Sequence, residues 1–274
     1  MTPRSIVIAT DIDVLPRDRI VVRRNGYTLV RSPSNPAHHW GNLLLFDEPP
    51  DSGDAERWEE LFEREFRDEP RVRHRTFSWD RPDGMLGRAR EEFLPRGYEL
   101  EESIGLVARV LCRHPRANRD VLVRALDPRG DAEFWAAVVE LQVAGREERY
   151  EEQGYRQFSL ARLAGLRALF ASGRGAWYVA LDPAAGALAA SCGIVVTGGR
   201  GRFQLVETAL DHRRRGIATR LLVDAADHSA AVHGAERFVI VADAAYHALG
   251  LYESLGFERK EHVFGVSRLP PANG

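Results

Sequence analysis

The sequence predicts a mixed α/β fold present twice in the chain, and three observations predict it. Strand-like runs open each half and then alternate with helical stretches. The halves also end alike: 97–109 reads GYELEESIGLVAR and 256–268 reads GFERKEHVFGVSR. Without a gap, Gly97, Glu99, Glu102, Val107 and Arg109 meet Gly256, Glu258, Glu261, Val266 and Arg268. Finally, a helical stretch precedes each ending, GMLGRAREEFLPRG in the first half and AYHALGLYESLG in the second. Like endings in like contexts predict a duplicated fold. The polar segment CRHPRANRD (112–120) interrupts two strand-like runs and reads as a connection, which predicts domains at 1–112 and 119–274 with a linker at 113–118.

In the first half IVVRR, YTLVRS and NLLLFDE predict strands, followed by the helix DAERWEELFEREF, the strand VRHRTFSW, a second helix and the strand at 97–109. In the second half VLVRAL predicts a strand closed by the turn DPRG. DAEFWAAVVELQVA (131–144) keeps apolar residues at helical spacing behind an acidic cap. A charged, aromatic helix covers 148–171. AWYVALD, ALAASCGIVVTG and FQLVETAL, parted by the turns PAAG and GGRG, predict an antiparallel meander. Ile217, Leu221, Leu222, Ala225 and Val232 mark an amphipathic helix, RFVIVAD a buried strand, AYHALGLYESLG a helix and HVFGVSR a last strand.

Bulk numbers exclude several classes. With 38 basic and 40 acidic residues the net charge is −2, which argues against a nucleic-acid binder that relies on overall positive charge. No apolar run approaches the ~20 residues that cross a bilayer, so no membrane association is expected. The opening MTPRSIVIATDIDVLP lacks a cleavage pattern and is not read as a signal peptide. Cys112 and Cys192 stand far apart, which disfavours a disulfide framework and fits a reducing cytoplasm. Neither His38–His39 nor His228 with His233 has a third ligand at metal spacing, so no metal is expected. Lys260 is the only lysine, and abundant arginine therefore carries little weight on its own.

One stretch carries chemistry. DHRRRGIATRLL (211–222) joins a strand ending near Leu210 to a helix starting near Gly216. A helix N-terminus offers unpaired N–H groups and partial positive charge, which suits an anion. Gly216 and Ala218 leave the backbone approachable, and Arg213, Arg214 and Arg215 add charge at the rim.

Arg213-x-x-Gly216-x-Ala218 after a strand, with Leu251-Tyr252-x-x-x-Gly256-Phe257 downstream, resembles the two signatures of the GCN5-related N-acetyltransferases. The resemblance covers about 119–270. It implies that acetyl-coenzyme A binds with its pyrophosphate on 213–218, including Ile217 and Thr219. The pantetheine arm would run along 203–210, against Val206, Thr208, Ala209 and Leu210, with a main-chain N–H near Thr208 holding the thioester oxygen. Ala248 matches the coenzyme side of the second signature. Ala245 stands where the family often has asparagine, and one coenzyme hydrogen bond is missing there.

The resemblance further implies direct attack of an amine on the thioester, with Tyr252 protonating the departing thiolate. Tyr252 acts so or only packs. Glu207 accepts a proton from the amine or lies on an exposed strand face; alternation leaves this open. His212, beside the arginines, is read as structural. Glu151, Glu152, Tyr150 and Tyr155 form either an acidic, aromatic wall toward a cationic acceptor or a solvated face, and 32–42 either a lid or a connecting loop. The first half has no matching motif, and Asp51, Asp54 and Glu56 surround its corresponding helix start, so it reads as a degenerate copy without a coenzyme site. Such a tandem is similar to mycothiol synthase-like acetyltransferases. The function implied is acetyl transfer to a small-molecule amine. The alternatives are a catalytically silent acetyl-coenzyme A sensor and a ligand-free structural dimer; the sequence leaves acceptor and oligomeric state open.

Overall fold

A computed structural model of the chain describes residues 3–184, 186–244 and 248–270. The first elements are α1 (Ile6–Asp13), β1 (Ile20–Arg23), β2 (Tyr27–Arg31), β3 (Leu43–Phe46), α2 (Asp54–Glu65), β4 (Arg75–Trp79), α3 (Ala89–Phe93) and β5 (Glu99–Ala108). Then come β6 (Leu122–Ala125), α4 (Ala132–Ala144), α5 (Glu152–Phe170), β7 (Gly175–Leu181), β8 (Leu188–Thr197) and β9 (Arg200–Thr208). The chain continues through α6 (Ile217–His233), β10 (Arg237–Asp243), α7 (Leu249–Ser254) and β11 (Glu258–Arg268). Two compact units result. The described part of the first is 3–105, 241–244 and 260–270, and that of the second 106–184, 186–240 and 248–259. The segment 113–118 thus lies within the second unit, and most of β11 belongs to the first.

In the first unit the strand order is β1-β2-β3-β4-β11-β5. β3 and β4 are parallel, whereas β1–β2, β2–β3 and β4–β11 are antiparallel, so the sheet is mixed. Every residue of β3 is buried because both faces are covered. Leu44 and Phe46 meet an aromatic cluster of Trp58, Phe77, Trp79 and Phe93, while Leu43 and Leu45 meet Val7, Ile8 and Leu15. Phe46 stacks on Trp58 at 3.6 Å. The opening apolar stretch is helix α1, whose first turn is capped from a distant part of the chain. Glu261 accepts from Ile6 N (2.8 Å), Val7 N (3.1 Å) and Ser5 Oγ (2.6 Å). One glutamate of the repeated ending therefore satisfies helix N–H groups that no neighbour in sequence reaches.

In the second unit the order is β10-β9-β8-β7-β6. β7 through β9 form the expected antiparallel meander, β6 extends it by pairing antiparallel with β7, and β10 joins β9 in parallel. Neighbouring residues of β7 show how the helices are layered. Trp177 packs 5.9 Å from Trp135 of α4 and 6.5 Å from Phe170 of α5. Tyr178 points to the opposite face and bonds Ser229 Oγ of α6 at 2.7 Å. Asp131, expected to cap α4, makes no such bond. Its φ is +51°, and its carboxylate takes Arg124 at 2.8 and 2.9 Å and Asp127 N at 2.8 Å. The carboxylate is drawn to the arginine rather than to the helix.

Candidate active site

The site begins with a break in β9. Ser191 faces Glu207 and Gly193 faces Gln204, so Leu205 and Val206 together oppose Cys192. Leu205 adopts φ +49°, a conformation that costs a side-chain-bearing residue roughly 1–2 kcal/mol. Buried Gln142 on α4 donates to the Leu205 carbonyl at 3.1 Å and holds the bulge. Parallel pairing with β10 involves Arg200, Gly201 and Arg202. Past Arg202 this edge of β9 has no registered strand partner among the described residues. Ala209 N donates to Ala189 of the preceding hairpin at 2.9 Å, so by alternation Thr208 N faces the open edge.

Glu207 and Arg213 meet at that edge. The Glu207 side chain is 17% exposed, with Oε1 3.0 Å from Arg213 Nη2. The same oxygen accepts from Thr208 N at 3.0 Å, and Arg213 Nε donates to the Thr208 carbonyl at 3.1 Å. Gly145, just past α4, leaves room for the carboxylate: a Cβ there would lie 2.7 Å from Glu207 Cδ. The orientation that alternation left open is therefore toward the α4–α5 connection. Tyr155 shares this corner, its hydroxyl pKa raised first by burial and then by the charge of Glu207. Glu151 caps α5 by accepting from Gln153 N (2.8 Å) and Gly154 N (2.7 Å), and Glu152 pairs with Arg146 at 3.2 Å. Those two carboxylates serve the helix start, while the rings of Tyr150 and Tyr155 lie 5.7 Å apart.

After β9 a short 3-10 turn carries exposed Leu210 and ends at His212. That imidazole lies 2.8 Å from Asp211 and 3.2 Å from Asp182, and its pKa is raised chiefly by Asp211. Arg213, Arg214 and Arg215 are exposed. Arg214 has φ +61° and Gly216, the N-cap of α6, φ +72°. No side chain caps α6 and no acid lies in its first turn. Ile217 and Thr219 turn their side chains into the core and Ala218 is half-buried, so what this turn offers is backbone N–H. The first unit preserves this conformation with the opposite charge. α2 also starts after a left-handed glycine, Gly53 at φ +81°, but Asp54 and Glu56 occupy its first turn. The two helix starts thus share a left-handed glycine, a likeness that residue matching missed.

Downstream, α7 begins after Ala248 and buries Tyr252, which is 4% exposed. The Tyr252 ring lies 6.3 Å from Phe257, and Phe257 lies 6.1 Å from Phe203 on β9. The downstream signature thus packs onto the strand that carries Glu207. Ala245 lies outside the described residues. Among the described residues no cluster of His, Cys, Asp or Glu is placed to hold a metal ion, and no helix is long and apolar enough to cross a membrane.

The family model described as an acetyltransferase (GNAT) domain matches residues 173–259, which contain the bulged strand, the arginine turn and α7. Over that span the chain matches the GCN5-related N-acetyltransferase (GNAT) family. Solved GNAT structures extend the likeness of fold to the whole chain. A GCN5-related N-acetyltransferase from Kribbella flavida matches at 15% identity with a TM-score of 0.66, covering 97% of this chain and 96% of that one. A tandem GNAT protein from the clavulanic acid biosynthesis pathway matches at 16% identity and a TM-score of 0.54, over 98% of this chain and 89% of its own. A conserved protein of unknown function from Staphylococcus epidermidis matches at 11% identity and a TM-score of 0.72, over 92% and 94%. A comparison with curated proteins found no match.

Proposed function

We propose that the second unit binds acetyl-coenzyme A and transfers its acetyl group to the amine of a small molecule. The observation that carries this is the start of α6: uncapped, free of acids, ringed by Arg213–Arg215 and placed directly after a bulged strand with an open edge. Such a helix end suits a diphosphate. The N–H groups of Gly216 to Thr219 would hold the pyrophosphate, and the 206–208 edge would pair with the pantetheine amides. The acid-bearing start of α2 suits no such anion, so the first unit is read as the copy without a coenzyme site.

In the reaction the amine nitrogen bonds to the thioester carbon and the C–S bond breaks. The thiolate takes a proton from Tyr252, while the nitrogen loses one to Glu207, directly or through water. Thr208 N is the donor for the thioester oxygen, where charge develops. Glu207 occupies that donor in this structure, so coenzyme binding must shift the carboxylate and Arg213 together. Calorimetric titration with acetyl-coenzyme A, followed by turnover against a panel of amines, tests the reading. Saturable binding with turnover is expected; binding without turnover would make the protein a sensor, and no binding would reject the coenzyme site.

A further inference from the structure

We propose that Asn118 is a positioning residue for the coenzyme, an inference that rests on the pyrophosphate reading of α6. The segment 116–118, which the sequence presents as linker, lies against the start of that helix. Asn118 N donates to the Gly216 carbonyl at 3.0 Å, and Asn118 Nδ2 donates to the Arg215 carbonyl at 3.1 Å. Its Oδ1 accepts from Asp120 N (2.9 Å) and Val121 N (3.0 Å), which fixes the side-chain amide with nitrogen toward Arg215. The approach is close: a Cβ on Gly216 would lie 1.9 Å from the Arg116 carbonyl oxygen.

These contacts have a directional consequence. In a trans peptide the C=O and the following N–H point to opposite sides. With the carbonyls of Arg215 and Gly216 both drawn onto Asn118, the N–H groups of Gly216 and Ile217 point away from the 116–118 segment. They face outward, where a diphosphate would lie. The same contacts hold the turn in shape although Arg214 has positive φ, a conformation unfavourable to a residue with a side chain. Asn118 touches no coenzyme atom in this scheme; it aims the donors that do.

The test compares wild type with Asn118→Asp and Asn118→Ala, using coenzyme A as the probe. The aspartate keeps the acceptor for Asp120 N and Val121 N but loses the donor to Arg215, so it separates aiming from loop stability. Dissociation constants come from calorimetry, and amide shifts of Gly216, Ile217 and Thr208 from nitrogen–proton correlation spectra. Both variants are expected to bind coenzyme A about tenfold or more weakly. The ligand-induced shifts of Gly216 and Ile217 should shrink while that of Thr208 persists. Affinity within about twofold of wild type, or loss of all three shifts together, overturns the proposal. If wild type itself binds no coenzyme A, the pyrophosphate reading fails instead.

Discussion

The guanidinium of Arg213 sits 3.0 Å from the carboxylate of Glu207, so the proposed coenzyme contact and the proposed proton acceptor form one ion pair. Breaking the pair from its two ends should give different results. Arg213→Gln removes a cation that would face the pyrophosphate and should weaken acetyl-coenzyme A binding by about tenfold. Glu207→Gln should leave that affinity within about twofold and lower kcat by roughly 100-fold with an accepted amine. Calorimetry beside steady-state kinetics checks both. Equal losses of affinity would show that the pair as a unit shapes the strand edge.

Tyr252 is buried on α7, and Tyr252→Phe keeps the ring that packs near Phe257. Folding and coenzyme affinity should be unchanged while kcat falls by roughly 100-fold. Full turnover in this variant would remove the general-acid role.

His212 gives a pH signature. Asp211, and then Asp182, raise its pKa, so the protonated ring is favoured in the fold. Its stabilising contribution is complete below the unfolded value of about 6.5 and is lost as pH rises through the raised folded value. Proton NMR should place its midpoint above 6.5, and Asp211→Asn should lower that midpoint more than Asp182→Asn.

Burial acts in the opposite sense on His74, which bonds the Asn42 carbonyl at 3.1 Å and has its pKa lowered to about 4. The unfolded ring takes up a proton below about 6.5 and the folded ring does not. Stability of the first unit should therefore be full above pH 6.5 and fall toward pH 4, by up to about 3 kcal/mol. Urea unfolding across this range should show the decline, and His74→Gln should flatten it.

Two glycines with one conformation provide a matched pair. At Gly53 a Cβ would meet nothing within 4 Å, whereas at Gly216 it would meet the Arg116 carbonyl at 1.9 Å. Gly53→Ala should cost about 1 kcal/mol from the left-handed backbone alone. Gly216→Ala should cost distinctly more, read as a larger drop in Tm.

What the sequence shows and hides follows from the range of the forces involved. The meander, α4, α6 and α7 were legible because burial imprints a period of two or 3.6 on the chain. The arginine turn was legible because spacing and order coincided at a strand-to-helix junction. The bulge was not, since nothing about Leu205 announces positive φ and its support comes from Gln142, a helix away. The Arg213–Glu207 pair and the Asn118 contacts were hidden likewise, being tertiary encounters of ordinary polar residues. Asp131 misled because a nearby arginine outcompeted the helix N–H groups for its carboxylate.

The place of β11 in the first unit sets a timetable for synthesis. Ser78 on β4 donates to the Phe264 carbonyl on β11 at 3.0 Å, across 186 residues of chain. At about 5–20 residues per second, a ribosome takes roughly 10–40 s to supply that partner. Until then Thr76, Phe77 and Ser78 lie on a strand with an edge still waiting for its neighbour, the kind of edge that recruits other chains. The first unit is begun first and finished last, and a pause in translating the second prolongs the interval in which the β4 edge stands unpaired.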